Sequence, residues 1–325
     1  MQTITDTINH LRVGDASTFE GLTVFPLFHD QPYEKDYLTL DEALKEGKAR
    51  VTEISDAGTV SKLLLKNSGD SKVLLIDGDE LVGAKQNRII NLTILVPANT
   101  ELEIPVSCVE AGRWSRRSEE FYSKKRAMYS RARAAKMEQV SASMKRSGDR
   151  YSDQSEVWKE ISAHKDSLSV DSPTEAMSDI YEDFEPDLNR YKKAFKGQQN
   201  QVGVVFAVSG KVQGLELFDN SQTFNHYLER LVSSYALSSF ADRDNVGTVE
   251  KLDADKFIEK VKNANTERFD ALGEGDDLRL SAEAMAGGAL LVEDRIVHLA
   301  AFDLHGGKNR RPNHRARRYY DPSVH

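Results

Sequence analysis

Short apolar runs separated by polar turn residues dominate the first and last thirds of the chain. Runs of this kind, bounded by Gly, Asn and Asp, are typical of β-strands. They predict strands at residues 21–27, 49–54, 62–66, 72–76, 92–96, 106–109, 277–281, 288–292 and 296–302, and a hairpin over 201–218. The connections in the first part are too short for helical crossovers, so we expect antiparallel pairing there. Pro26 places the first of these strands at a sheet edge or at a bulge.

Helical signals are concentrated in the middle of the chain. Residues 157–168 carry apolar side chains at helical spacing, and His164 on the same face is expected to be a core histidine rather than a ligand. Further helices are predicted after the capping boxes at 39–42 and 172–175, after an N-cap at 219–221, and from residue 253. We expect Gly47 to end the first of these and Pro186 to end the second.

Together these elements indicate an α+β fold with a largely antiparallel β core and an inserted helical segment. Strand-rich regions at 21–112 and 200–302 flank a helical region at 119–195, so we expect one composite domain over residues 1–302. Residues 303–325 have almost no apolar content and are expected to form a basic C-terminal tail.

Composition places the chain among ordinary globular proteins, because 39% of its 325 residues are hydrophobic and 30% are charged. The formal net charge of -8 excludes a global basic field that would hold nucleic acid. Cys108 is the single cysteine, which excludes an internal disulfide and a cysteine-cluster zinc site. We find no signal peptide and no run approaching the ~20 apolar residues of a membrane span. The expected compartment is the cytoplasm, without membrane association.

Three carboxylates follow directly after the apolar run that ends at Ile76. In an extended strand end Asp77 and Asp79 would point the same way, with Glu80 beside them. Such carboxylates can hold Mg²⁺ or another divalent cation, or act as an acid–base pair. The alternative is a turn, since Asp-Gly is a favoured turn dipeptide, and the local pattern by itself favours the turn. The identity of any metal or other cofactor stays open.

Donor side chains follow within a few residues of these acids. The candidate ligand-binding residues are Lys85, Gln86, Asn87, Arg88, Asn91, Arg113 and Trp114. Arginine, lysine and amide groups suit a phosphate or carboxylate, and an indole offers a stacking face. The same set can equally be a buried polar network that fixes strand register. Glu110 joins the three carboxylates as a catalytic candidate, while Cys108 in a half-buried strand is expected to be inert.

Two blocks of sequence carry a family resemblance: LIDGDELVGAKQNRIINLTILVPA at residues 75–98 and IPVSCVEAGRW at 104–114. They resemble the signature of a mainly bacterial domain family of unknown function, named for its association with ADP-ribosylglycohydrolase and rhodanese-phosphatase proteins. The resemblance continues at 40–43, 154–158, 172–174, 203–218 and 297–302, so it covers most of the chain up to about Phe302. It implies ADP-ribose or phosphate chemistry by association, and it adds Gln154 and Trp158 to the candidate pocket.

Basic residues are concentrated in residues 113–150, which hold twelve Lys or Arg and four Asp or Glu. Several alanines and the absence of Pro favour a helix there. This segment and the basic tail can contact RNA or an anionic surface. The simpler expectation, which we favour, is a solvated helix whose charges pair with the acidic remainder of the chain.

The leading hypothesis is a soluble protein that binds a nucleotide, an ADP-ribose-type ligand or another small phosphorylated ligand at a polar site on the β core. Hydrolysis of that ligand is an extension of the same hypothesis. The alternative is a non-enzymatic interaction module that contacts a protein partner or RNA through residues 113–150 and the tail. A third is a homo-oligomeric scaffold. The sequence does not decide whether the chain is an enzyme, and it leaves the oligomeric state open.

Overall fold

The computed structural model describes residues 2–55, 59–240 and 247–305. The strands in these ranges are β1 Leu11–Val13, β2 Ser17–Phe19, β3 Leu22–His29, β4 Tyr37–Thr39, β5 Ala49–Thr52, β6 Lys62–Asn67, β7 Lys72–Leu75, β8 Asp79–Gly83, β9 Arg88–Ile90, β10 Ile94–Val96, β11 Thr100–Cys108, β12 Phe121–Ala127, β13 Gln201–Val208, β14 Lys211–Phe218, β15 Asn265–Asp270, β16 Asp276–Ala282, β17 Met285–Val292 and β18 Arg295–Asp303. The helices there are α1 Gln2–Asn9, α2 Leu40–Lys45, α3 Ser130–Ser147, α4 Gln154–Leu168, α5 Met177–Asp183, α6 Glu185–Ala194, α7 Ser221–Phe240 and α8 Lys251–Lys262. The fold is α+β with mostly antiparallel sheets, as predicted.

The largest sheet has nine strands in the order β1-β3-β13-β14-β18-β17-β16-β15, with β2 also pairing with β3. The predicted hairpin is β13–β14, and it lies near the centre of this sheet. Every residue of β13 and β17 is buried, which explains their continuous apolar sequences. Pro26 lies opposite Val204, between the short stretches of β3 that pair with β1 and β2, and its carbonyl accepts from the Gly14 N–H.

The sequence motifs lie in two smaller sheets. One has six strands in the order β12-β8-β9-β11-β6-β5, and the other has three in the order β10-β7-β4. The pair β4–β7 is parallel, which departs from the predicted antiparallel pairing. Helix α3 packs on β17 and β18 of the nine-stranded sheet. Helix α7 packs on β13 of that sheet and on β12 of the six-stranded sheet. One large apolar core therefore joins the sheets through these two helices.

The two predicted capping boxes have different outcomes. Thr39 caps α2 as predicted, because its hydroxyl accepts from the Glu42 N–H and the Glu42 carboxylate accepts from the Thr39 N–H. The box at 172–175 is wrong: α5 begins only at Met177, and Glu175 has a left-handed φ of 52°. Pro186 lies in the first turn of α6 rather than at the end of a helix, a position where the missing N–H costs no hydrogen bond.

The helical region and the C-terminal tail of the prediction also need comment. The predicted helical region 119–195 begins with strand β12, and α3 starts only at Ser130. The polar N-terminal residues form α1, β1 and β2, and β15 was not predicted. The predicted basic tail lies outside the described residues from 306 onward. In the described part of the chain, no helix is long and apolar enough to cross a membrane.

Candidate functional site

The Asp77-Gly78 dipeptide forms a turn between β7 and β8, the alternative that the local sequence favoured. The Asp79 N–H donates to the Ile76 carbonyl at 3.1 Å, and Gly78 has a φ of 84°. A Cβ at Gly78 would lie 2.7 Å from the Arg133 Nε, so glycine is required both for the backbone angle and for space. From this turn, the side chains of Asp77 and Asp79 contact different partners.

Asp77 neutralises two buried cations of α3. The Lys136 ammonium donates to Asp77 Oδ1 and, at 3.0 Å each, to the Ile90 and Asn91 carbonyls, so all three of its protons are used. The Arg133 Nε lies 3.5 Å from Asp77 Oδ2. Burial alone would raise the pKa of Asp77, but the Lys136 and Arg133 charges overcome it and lower the pKa. Asp77 is therefore ionised and fully engaged inside the core.

Asp79 belongs to a second buried network, centred on Arg230 of α7. The guanidinium donates to Asp79 Oδ1 at 2.5 Å and also to Asp41 Oδ2, while the Tyr227 hydroxyl donates to Asp79 Oδ2 at 3.1 Å. Burial outweighs the Arg230 charge and raises the pKa of Asp79. His226 completes the network at the surface, 2.9 Å from Asp41. One arginine thus holds two carboxylates and ties α2 and β8 to α7.

Glu80 is fully buried, and neither of its carboxylate oxygens has a hydrogen-bond partner among the described residues. Burial raises the pKa of Glu80 to about 7. It lies opposite Ile89, whereas Arg88 lies opposite Leu81 on the neighbouring position of the same strand pair. Because side chains alternate between the faces of a sheet, Glu80 and Arg88 point to opposite faces.

Glu110 and Arg113 form a bidentate ion pair at the end of β11. Arg113 Nε donates to Glu110 Oε1 at 2.8 Å and Nη2 donates to Oε2 at 2.6 Å. The carboxylate also accepts from the Asn87 N–H and the Thr174 hydroxyl, and Arg113 Nη1 donates to the Ala84 carbonyl. Burial would raise the pKa of Glu110, but the Arg113 partner lowers it. This pair holds the loop after β8 against the end of β11.

Arg88 is a buried cation with two nitrogens that lack a hydrogen-bond partner among the described residues. It is fully buried, and it donates from Nη1 to Gln86 Oε1 at 3.1 Å and, at a longer 3.4 Å, to the Asn87 carbonyl. Its Nε and Nη2 have no hydrogen-bond partner among the described residues. Arg88 lies directly across from Cys108 in the β9–β11 pair, and the thiol donates to the same Gln86 oxygen at 3.0 Å. Burial lowers the pKa of Arg88 and raises that of Cys108.

Lys85 and Arg88 both lie near the ring of Trp114. The Lys85 ammonium is 5.4 Å and the Arg88 Cζ 5.8 Å from the centroid of the Trp114 ring, which is 49% exposed. We call Lys85, Gln86, Arg88, Cys108 and Trp114 the Arg88 cluster. It brings together four of the predicted ligand-binding residues.

Gln154 of α4 borders the Arg88 cluster, and Trp158 lies one turn further along the same helix. Gln154 Oε1 accepts from the Cys108 N–H and Nε2 donates to the Cys108 carbonyl, both at 2.8 Å, so the amide takes the place of a neighbouring strand. The Trp158 Nε1 has no partner among the described residues. Asn91 lies elsewhere: its side chain bonds the Ser107 hydroxyl and the Arg150 carbonyl.

A model of the ARPP-1 domain, the ARG and Rhodanese-Phosphatase-superfamily-associated Protein domain, matches residues 10–302. The chain belongs to the ARPP-1 family. The resemblance identified from residues 75–98 and 104–114 is thereby confirmed, and the match ends where it was expected to end, at Phe302. No curated protein and no solved structure matches the chain.

The basic segment of this ARPP-1 domain is largely neutralised. Apart from the buried cations already described, Arg126 pairs with Glu182, Arg131 with Glu160 and Lys145 with Glu267. These pairs agree with the simpler expectation that its charges meet the acidic remainder of the chain. RNA binding stays a prediction.

Sequence reasoning missed several members of the buried networks in the ARPP-1 domain. Arg133 and Lys136 were counted only among the charges of the basic segment. Their i, i+3 spacing among alanines nevertheless places both on one helix face. Arg230 and Glu216 were not singled out, and Arg133 donates to Glu216 at 2.5 Å. Within the described residues, no group of three or more His, Cys, Asp or Glu is arranged to hold a metal ion.

Proposed function

We propose that this ARPP-1 domain binds a phosphorylated ligand of the nucleotide or ADP-ribose class at the Arg88 cluster. The observation that carries the proposal is a fully buried guanidinium with two nitrogens, Nε and Nη2, that lack a partner among the described residues. Arginine stays charged at any physiological pH, so this burial cannot be relieved by losing a proton. An uncompensated buried ion costs several kcal/mol, and an anion bound at these nitrogens would offset that cost.

The neighbours of Arg88 favour a phosphate on a planar ligand over a simple carboxylate. A phosphate oxygen pair can accept from Nε and Nη2 of one guanidinium at the same time. Lys85 adds a second cation beside the same Trp114 ring, and that exposed ring offers a face on which a base can stack. A nucleotide or ADP-ribose carries both a phosphate, which the cations can bind, and a planar base, which can stack on the aromatic face.

Access to Arg88 would require the Trp114 side chain to move outward. Residues 111–118 contain no regular secondary structure, and Trp114 is half exposed. Arg113 would hold the segment in place during this movement, because its guanidinium donates to the Ala84 and Ser115 carbonyls at 2.8 and 2.9 Å. Trp114 would then act as a cover over the buried cation and as a stacking surface for the ligand.

Binding is better supported than hydrolysis. Asp77, Asp79 and Glu110 are each neutralised by buried cations, and Glu80 points to the opposite face of the sheet from Arg88. A general base must reach the proton that it removes. Three of these carboxylates are already paired with cations, and the fourth points away from Arg88. Their catalytic role and a cofactor Mg²⁺ stay predictions, as does a cytoplasmic location.

Isothermal titration calorimetry with ADP-ribose, AMP and pyrophosphate tests the proposal. We expect at least one of them to bind, and we expect Arg88→Met to weaken binding about 100-fold or more, since charge-assisted hydrogen bonds contribute about 1.5–3 kcal/mol each. Trp114→Ala should weaken ADP-ribose and AMP about tenfold through lost stacking and leave pyrophosphate nearly unchanged. Tyr122→Ala is the matched control, because Tyr122 is similarly exposed, at 47%, on β12.

Two results would overturn the proposal. One is the absence of binding by all three probes at concentrations up to about 1 mM, a weak affinity by any standard. The other is binding that Arg88→Met leaves unchanged. Adding Mg²⁺ to the same titrations and following phosphate release tests hydrolysis separately.

A further inference from the structure

A second cavity lies on the nine-stranded sheet and shares no lining residue with the Arg88 cluster. This cleft has a volume of about 350 Å³ and is bordered by α1 and by the ends of β3, β13, β14 and β18. Its volume is within the range of small-molecule sites, about 300–1,000 Å³. Neither the family motif nor the proposed phosphate site uses it.

Asp219, directly after β14, lines this cleft and carries a buried carboxylate oxygen without a hydrogen-bond partner among the described residues. Its Oδ1 accepts from the Tyr37 hydroxyl and the Asn220 amide, both at 2.6 Å. Its Oδ2 is buried and accepts no hydrogen bond from any described residue. The Arg295 Nε forms an ion pair with it at 3.5 Å but no hydrogen bond, and that guanidinium donates to Asp36 at 2.9 Å. A buried acceptor without a donor is costly, so this oxygen indicates a missing N–H or O–H group.

The charge of the cleft favours a cation as that missing group. Asp6 and Asp294 add two more carboxylates, and none of the described residues that line the cleft is Lys or Arg. Burial raises the pKa of Asp219 to about 6, so Asp219 is still mostly ionised at neutral pH. Burial, together with the neighbouring His10, lowers the pKa of His29, which keeps that imidazole neutral.

The two histidines of the cleft are held in defined tautomers. His10 Nδ1 faces the Asp6 carbonyl at 2.7 Å and must donate to it. Its other ring nitrogen is then an acceptor when the ring is neutral. His29 Nδ1 accepts from the Gln31 N–H at 3.1 Å. The two rings lie 6.0 Å apart.

The remaining wall of the cleft is apolar. It consists of Leu11, Val202, Leu217, Phe218 and Ile296. We propose that the cleft binds a small organic ammonium compound, a primary amine on a short apolar or aromatic body. The ammonium group donates to Asp219 Oδ2 and the body packs on the apolar wall. This site is independent of the proposed phosphate site, so the two can fail separately.

Calorimetric titration with benzylamine and with 1,5-diaminopentane at pH 7.5 tests the inference, with benzyl alcohol and 1,5-pentanediol as uncharged analogues. We expect the amines to bind at least about tenfold more tightly than the alcohols, as expected for a charged hydrogen bond. Asp219→Asn should weaken amine binding about tenfold or more. Asp294→Asn, in the exposed β17–β18 turn, should weaken it by a smaller factor without threatening the fold.

Asp30→Asn is the matched control. Asp30 is an exposed carboxylate next to His29 that does not line the cleft, so its removal should leave amine binding unchanged. Equal binding of amines and alcohols, or no measurable amine binding, would overturn the inference. So would amine binding that survives both Asp219→Asn and Asp294→Asn. If Asp219→Asn does not fold, Asp294→Asn against Asp30→Asn still decides the outcome.

Discussion

Arg88→Met removes a guanidinium that is fully buried and makes one hydrogen bond of ordinary length, to Gln86 at 3.1 Å. Losing that bond costs about 1.5–3 kcal/mol. Removing an uncompensated buried charge returns several kcal/mol, and a thioether of similar length refills the space. We therefore expect the free protein to become more stable by about 1–4 kcal/mol, while phosphate binding is lost.

Arg133→Met is the contrasting variant. Arg133 is equally buried, but it donates to Glu216 at 2.5 Å and lies 3.5 Å from Asp77. Its removal leaves two buried carboxylates short of a cation, and breaking a buried pair in this way costs about 3–5 kcal/mol. The same substitution should therefore have opposite signs at the two positions.

Urea unfolding followed by circular dichroism measures both free energies. The midpoints should shift in opposite directions, with equal m-values if both variants keep the fold. A loss of stability at Arg88→Met as large as that at Arg133→Met would refute the reasoning. Arg88 would then be a structural cation, and the proposed phosphate site would lose its main support.

Other predictions follow from the motif and its partners. Burial raises the pKa of Glu80 from the usual 4.5 to about 7, so the folded state holds this proton more tightly than the unfolded chain. Its stabilising contribution is present below pH 4.5 and is lost as the pH rises through about 7. Glu80→Gln should flatten this pH dependence of the free energy of unfolding and stabilise the protein at pH 8 by about 3 kcal/mol. Urea unfolding across pH measures the effect. Gly78→Ala should cost more than Gly47→Ala in a thermal melt: both glycines have positive φ, but only Gly78 has a neighbour within 4 Å of the added Cβ. Equal losses would contradict the assigned packing. Asp77→Asn should cost about 3–5 kcal/mol by stranding the buried Lys136 charge, and adding Lys136→Met should recover part of it; a double variant no more stable than the single one would argue against the pair.

Local chemistry explains which sequence predictions succeeded. The capping box at Thr39 and the turn at Asp77-Gly78 depend on groups within a few residues, so the sequence is sufficient to specify them. The similar pattern at 172–175 failed because Ser172 donates its hydroxyl to Asp179 and accepts from the Ala176 N–H instead. A local capping motif does not form where a tertiary partner offers the same groups better hydrogen bonds.

The sites depended more strongly on tertiary structure. The sequence placed Asp77, Asp79 and Arg88 in one dense motif, but their partners come from helices α3 and α7 and from β11, up to 151 residues away. No periodicity within the motif could indicate that Asp77 and Asp79 would be neutralised by those partners while Arg88 would not.

The sequence by itself determined the class of the fold, most strands, the central hairpin and the family, because apolar alternation, turn residues and motif strings are local properties. Tertiary structure decided which polar residues are satisfied and which are not. That distinction depends on the distances between groups brought together from remote parts of the chain, and on the loss of solvent around them. Burial turns Asp77, Asp79 and Glu110 into structural ion pairs, and it leaves Arg88, Glu80 and Asp219 among the described groups with unfilled hydrogen-bonding capacity.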